Sequence, residues 1–323
     1  MLNAPTHRSF TLYDQVLPTV EEFVYLGLPF RQAGLSTEAM IRHRSPGTLL
    51  AMSVLQTIGA RPSGFSPLLS ARLYRQFIRP KFEYGLAILR LRGPDLKSLT
   101  QLQDRCLRMI MGGHRTSSTS VFRHLCDLPS IHTRAYALSM KFCVRLQFLP
   151  EDCLITLLSP LLPPHSRLSF LRSNPMFVSL PSSLPRDIKQ AILDHRQSEL
   201  DLKRQTQTLL YGARPRVGVD PILQLKSTRH ERSRLLRWRI GWLPGKPRDC
   251  PCGSDHTSRR HLVDCPVIPR YLWQQLPVSP SDTHPLDNAL SQLPTSSRKP
   301  PAYWQAVLTL LAHIDEICLL AQA

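Results

Sequence analysis

The sequence predicts a mainly α-helical protein: a short N-terminal β-hairpin, a helical bundle, a Pro-rich linker, and a small metal-knuckle domain with flanking helices. Three observations carry this fold class. Apolar residues recur at helical spacing from Gly47 onward, β-type alternation is confined to residues 10–30, and three of the 8 cysteines gather with a histidine at 250–265. At 323 residues, 42% hydrophobic and 20% charged, the chain is long enough for about two globular domains.

The stretch FTLYDQVLPTVEEFVYLGLPF (10–30) holds two short runs of Phe, Val, Tyr and Leu separated by polar residues and proline, which reads as a strand pair. Helices are expected over 48–60, 66–91 and 95–111, the second kinked or broken at Pro80 and the third ended by Gly112-Gly113. In the third, Leu99, Leu102, Cys106 and Ile110 form one apolar stripe. A helix at 130–149 stacks Ile131, Ala135, Leu138, Phe142 and Leu149. Residues 150–185 hold seven prolines and predict an irregular linker, followed by a polar helix at 186–211. Residues 277–301 are again rich in Pro and Ser, and a closing helix at 302–320 lines up Trp304, Val307, Leu311 and Ile314. The expected organisation is therefore 1–30 hairpin, 31–150 helical domain, 151–185 linker and 186–323 helical region with the knuckle.

The 41 Lys+Arg against 23 Asp+Glu leave a net charge of +18. Residues 61–145 hold 15 basic and 4 acidic side chains, and 226–270 hold 11 and 4, so two segments account for the whole excess. A polyanion is the first partner such a field suggests, with an acidic protein or a membrane surface as alternatives. Arg72, Arg75 and Arg79 share one face at helical spacing, away from Leu69, Leu73 and Phe77, and Arg134, Lys141 and Arg145 share another. Such rows suit a nucleic-acid backbone; each also reads as the solvated face of an ordinary bundle.

No run reaches the roughly 18 apolar residues of a membrane span, and Met1–Phe10 has no signal-peptide core. The expectation is an intracellular protein with reduced cysteines, whose spacing points to a metal. Cys250, Cys252, His261 and Cys265 form a C-x-C-x8-H-x3-C array. Three thiolates and an imidazole make a closed tetrahedral set, which predicts one structural zinc with no open position for water. Thr257 and Ser258 can cap a short helix that sets His261 and Cys265 one turn apart; His256 is a rival ligand. Cys106 reads as a small core residue.

Other chemistry is poorly supported. GWLPGK (241–246) lacks the spacing of a phosphate loop and reads as a turn, and the residues after Gly64-Phe-Ser lack the closing glycine of a nucleophile elbow. A two-metal polymerase or nuclease needs gathered carboxylates. The chain has no Asp-Asp pair, and Glu83, Asp95, Asp104 and Asp127 are scattered. No catalytic residue is assigned, and no small-molecule substrate is evident.

FVYLGLPF (23–30), ARLYRQFIRPKFEYGLAIL (71–89), LKSLTQLQDRCLRMIMGG (96–113) and the knuckle array, in that order, resemble the C-terminal part of non-LTR retrotransposon reverse transcriptases. The resemblance covers most of residues 10–270 and implies a primer-grip edge of the palm, a thumb-like helical domain and its connection, and a zinc knuckle. It further implies that Arg72, Arg75, Arg79, Arg105 and Arg108 approach a template-primer duplex. The stretch Arg229–Arg239, with Arg232, Arg234 and Arg237, and the knuckle would hold RNA or target DNA in the nucleus. The family's metal-binding aspartates precede the Y-L-G strand and have no counterpart here, so RNA-directed DNA polymerase activity is expected only with a palm supplied upstream or in trans. The leading expectation is a non-catalytic reverse-transcriptase remnant that binds RNA or DNA backbone without specificity. A helical scaffold with a structural zinc is the alternative, and a fragment that folds poorly because its apolar face is bare is a third.

Overall fold

The computed structural model describes residues 9–243, 249–254, 257–295 and 299–320. The predicted GWLPGK turn from Pro244 on, and the rival ligand His256, lie outside these residues. The chain forms two compact units, each assembled from three stretches: 1–60, 72–106 and 130–192 in the first, 61–71, 107–129 and 193–323 in the second.

The first unit opens with two small antiparallel sheets, where the sequence suggested one strand pair. Strands β1 (Thr11–Leu12) and β2 (Gln15–Val16) pair with each other, and β3 (Glu22–Tyr25), β4 (Leu28–Arg31) and β5 (Gly34–Leu35) form a three-stranded meander. Leu26 and Gly27 join β3 to β4 with φ of 49° and 74°, a two-residue turn of the kind that matches strand twist. Glycine suits its second position because the left-handed backbone carries no Cβ penalty there.

Helix α1 runs Thr37–Thr57, well upstream of the predicted start at 48. The Pro46-Gly47 pair reads as a break, but Ser36 caps the helix by accepting from Ala39 N at 3.2 Å, and burial of Ala39 and Met40 holds the turns before the proline. Helix α2 (Pro67–Leu73) passes into a π-helical turn, Tyr74–Ile78, and then α3 (Arg79–Glu83). Pro80 has no N–H for the carbonyl of Gln76, and the wider turn closes instead through Arg79 N to Tyr74 O. The extra residue rotates the faces: Tyr74, Ile78 and Phe82 are buried while Phe77 is 58% exposed. The predicted Arg72–Arg75–Arg79 row therefore does not survive, because Arg79 points inward.

Helix α4 (Gly93–Met111) buries the whole predicted stripe, Leu99, Leu102, Cys106 and Ile110, and stops before Gly112-Gly113. Helix α5 spans Thr119–Leu125 and α6 Ile131–Leu146. The buried face of α6 centres on Ala137, Met140, Cys143 and Val144; Leu149 lies beyond the helix end and is partly exposed. Met140 and Ala137 pack with Met176, Phe177 and Ile188 in a local core.

The proline-rich segment is not irregular. It folds into α7 (Leu154–Leu158), α8 (Arg167–Arg172) and α9 (Pro175–Val178), because Ser166 and Asn174 cap α8 and α9 and Pro175 occupies a first-turn position that needs no N–H. Helix α10 covers Pro185–Thr206 and α11 Thr208–Tyr211. The second unit continues with α12 (Arg229–Arg239), α13 (His261–Asp264), α14 (Arg270–Gln274), α15 (Pro285–Ser291) and α16 (Trp304–Leu320). Thr228 and Glu231 form a reciprocal capping box at the start of α12. Helix α16 packs against both α12 and α14 and buries Trp304, Val307, Leu311 and Ile314 as predicted.

Two histidines, one buried and one partly buried, make the second unit sensitive to acid. Burial pushes both His124 and His284 down to about 4, against the pull of Asp220 on the first and Asp287 on the second. His284 is held neutral by geometry as well: Leu286 N donates to Nδ1 at 3.2 Å, so Nε2 carries the hydrogen facing Arg259 O at 3.0 Å. An unfolded histidine titrates near 6.5, so between about pH 6.5 and 4 the unfolded chain binds more protons and stability falls as pH falls, by up to about 3 kcal/mol per histidine. Urea midpoints should drop across this window, and His284→Gln should show a shallower drop than the native chain. Parallel pH profiles for the two proteins would refute the assignment.

Candidate metal centre and basic surfaces

The candidate metal centre is built from a tight turn and one helical turn. Cys250 N donates to Ser254 O at 2.7 Å and Gly253 N to Cys250 O at 2.9 Å, closing a loop that brings Cys250 and Cys252 to one side despite their single-residue gap. Gly253 makes this possible at φ 89°, a backbone state that L side chains rarely adopt. Across from the loop, Ser258 Oγ accepts from His261 N at 3.2 Å and starts α13, which sets His261 and Cys265 four residues apart on one face. Ser258 is one of the two predicted capping residues.

Cys250 Sγ lies 3.6 Å from Cys265 Sγ, Cys252 Sγ lies 3.3 Å from His261 Nε2, and all four ligand atoms fall within 4.8 Å of one another. A tetrahedral ion with metal–sulfur bonds of about 2.3 Å and metal–nitrogen bonds of about 2.0 Å sets its ligands roughly 3.5–3.8 Å apart. The four side chains can therefore hold one metal ion with small adjustments. The electrostatics point the same way. Burial, with the neighbouring sulfurs of Cys252 and Cys265, pushes the Cys250 thiol up to about 12, so its thiolate is unfavourable there unless a cation joins it. The Ser254 backbone N–H draws Cys252 the other way, below the usual thiol range. Cys106, Cys126, Cys143 and Cys318 are buried elsewhere.

The predicted nucleic-acid residues divide sharply. In the first unit Glu83 is buried between two of them: Arg79 Nε lies 2.9 Å from Oε1 and Arg134 Nε donates to Oε2 at 2.9 Å. In the second unit α12 turns most of its arginines inward. Arg232 donates to Leu223 O, Leu225 O and Ser227 Oγ, and Arg234 and Arg237 both reach Asp315 on α16. Arg239, 2% exposed, donates to Gly212 O and lies 3.7 Å from Asp220 and 3.9 Å from Asp287. Arg79, Arg134, Arg232, Arg234, Arg237 and Arg239 are thus fastened to the protein's own carboxylates and carbonyls, which corrects the picture of an arginine-rich helix open to a ligand. Arg75 and Arg108 are half-buried. Arg72, Arg105, Lys141, Arg145 and Arg229 are exposed, and none of these five makes an ion pair among the described residues.

The second unit also holds a polar hub that no local sequence pattern marks. Asp287, at the start of α15, accepts from Trp238 Nε1 at 2.9 Å and from Arg259 Nη2 at 2.9 and 3.0 Å, while the Arg259 guanidinium stacks 3.9 Å above the Trp238 ring. Arg259 lies inside the counted basic segment; nothing in its local spacing marks a partner 28 residues away. Among the described residues, no helix is long and apolar enough to cross a membrane. Comparison with protein-family models, with curated proteins and with solved structures finds no match.

Proposed function

We propose that this protein is a nucleic-acid-binding chain of the non-LTR reverse-transcriptase type, which grips RNA or DNA backbone and uses one structural zinc to fold its C-terminal knuckle. The observation that supports binding is the set of exposed cations without carboxylate partners: Arg72, Arg105, Lys141 and Arg145 in the first unit and Arg229 in the second. Zinc fits the donor set, since three sulfurs and one imbedded imidazole are soft ligands and a four-ligand site leaves no water position. The ion then folds the knuckle and takes no part in hydrolysis. In this reading the exposed apolar side chains Leu50 and Val54 on α1, with Ile58 just past its end, form a face on which a catalytic palm packs, in the same chain or in trans. The motif order in the sequence supports that origin.

A salt titration tests the binding. Each neutralised phosphate contributes about −0.9 to the slope of log K against log salt on duplex DNA and about −0.7 on single strands. Zinc-loaded protein should give a slope of about −3 to −4 on duplex, and Lys141→Glu/Arg145→Glu should reduce its magnitude by about 2. Binding that ignores salt, or none at low salt, would end the proposal and favour a scaffold for an acidic protein.

A further inference from the structure

Beside the knuckle, within the second unit, lies a cleft of about 820 Å³ bounded by α11, α13 and the loop that leads into α15. It falls within the size range of sites that enclose a small organic molecule, ~300–1,000 Å³. Tyr211 lines it and is 45% exposed, and its hydroxyl donates to Asp282, which fixes the ring at the wall. Arg204 sits over the same ring, 5.8 Å from the centroid. Arg260, exposed on the knuckle side, also lines the cleft and makes no ion pair among the described residues. Of the cleft's carboxylates Asp287 is paired with Arg259, whereas Asp282, which accepts from the Tyr211 hydroxyl, keeps its charge, so the place open to an anion is at Arg260. Asp264 offers an acceptor to a donor N–H in the same space.

An anchored, partly exposed aromatic ring beside an unpaired guanidinium is the chemistry that takes an unpaired nucleotide: the base stacks on the ring and the phosphate meets the cation. A duplex keeps its bases stacked on each other and cannot offer one to a recessed tyrosine. We propose that this cleft receives a single unpaired nucleotide of a bound strand, with the base against Tyr211 and its phosphate at Arg260. The inference rests on the nucleic-acid reading above and adds a preference for single strands that the exposed cations alone do not give.

The test uses the full zinc-loaded chain, a short labelled single-stranded RNA and a duplex of equal charge. Tyr211→Ala should weaken single-strand binding roughly tenfold and leave the duplex unchanged, while Tyr211→Phe keeps the ring and most of the affinity. Arg260→Gln should lower the salt slope on the single strand by about one phosphate's worth. Equal losses on both probes, or none on the single strand, would overturn the cleft and leave backbone binding standing. Failure of the native chain to bind either probe would end both readings. Photo-crosslinking of iodouridine RNA to the native chain guards against a misfolded variant: the crosslinked peptide should contain Tyr211, and crosslinks confined to other peptides would overturn the proposal.

Discussion

Removing the metal, by chelation or by Cys265→Ser, is expected to unfold the segment from Cys250 to Leu276 and to loosen its contact with α16. Cys250, Leu262, Cys265, Ile268, Leu272 and Leu276 are all buried, yet the backbone between them is short turns and the small helices α13 and α14. Helices of four and five residues do not hold themselves in water, so an ion bound by the four side chains would supply order by cross-linking them. Structural zinc in small knuckles binds with an apparent free energy of ~10–16 kcal/mol, and where the site exists only in the folded state that energy is folding energy. Native mass spectrometry should show one ion on the native chain and none on Cys265→Ser, and proteolysis of the variant should begin between residues 250 and 276. A variant that keeps its ion would mean that another residue completes the set. A metal-free chain that resists protease in this segment would mean that packing on α16 suffices without the ion.

The gathering of Cys250, Cys252, His261 and Cys265 was legible in the sequence because its information is local. All four ligands fall within 16 residues, one pair sits on one helical turn, and the loop glycine follows the second cysteine directly. The long helices α4 and α16 were legible for a related reason, since one period governs their whole length and the predicted stripes are buried. Pro80 marked the kink of the second helix in the sequence, but not which faces would follow it: the π-turn at Tyr74–Ile78 moved Arg79 inside and Phe77 outside. The proline-rich segment carried its helix starts in plain sight, as Ser166 and Asn174-Pro175, but prolines at first-turn positions read as breakers when the caps are not weighed with them. The arginines of α12 were illegible for a different reason. Helical spacing places a side chain on a face but does not say whether that face meets water or a distant carboxylate, and the carboxylate that holds Arg234 lies 81 residues away. Net charge reports how many cations a segment carries, and only the fold decides which of them remain exposed.

That same distinction makes Asp287 the position where one substitution should cost most outside the metal centre. Its side chain is 12% exposed and accepts from Trp238 and Arg259, and the buried Arg239 lies 3.9 Å away. Two guanidiniums and an indole N–H converge on it, so its loss leaves the buried Arg239 and the partly buried Arg259 without the carboxylate they share. Breaking a buried pair by removing one partner costs about 3–5 kcal/mol, whereas removing both with apolar replacements is often close to neutral. Asp287→Ala should therefore lower stability by about 3–5 kcal/mol, read as the urea midpoint followed by tryptophan fluorescence. Asp287→Leu with Arg259→Met should recover part of it, while Arg239 retains Asp220 as a partner. Gly212→Ala approaches the same hub from outside, because a Cβ there would sit 2.9 Å from Asp287 Oδ2 and displace the carboxylate without removing its charge. A loss under about 1 kcal/mol for Asp287→Ala would place the carboxylate in solvent, as for an ordinary surface pair. A double variant no better than the single one would mean that Arg239, with Asp220 alone, still lacks the charge it needs.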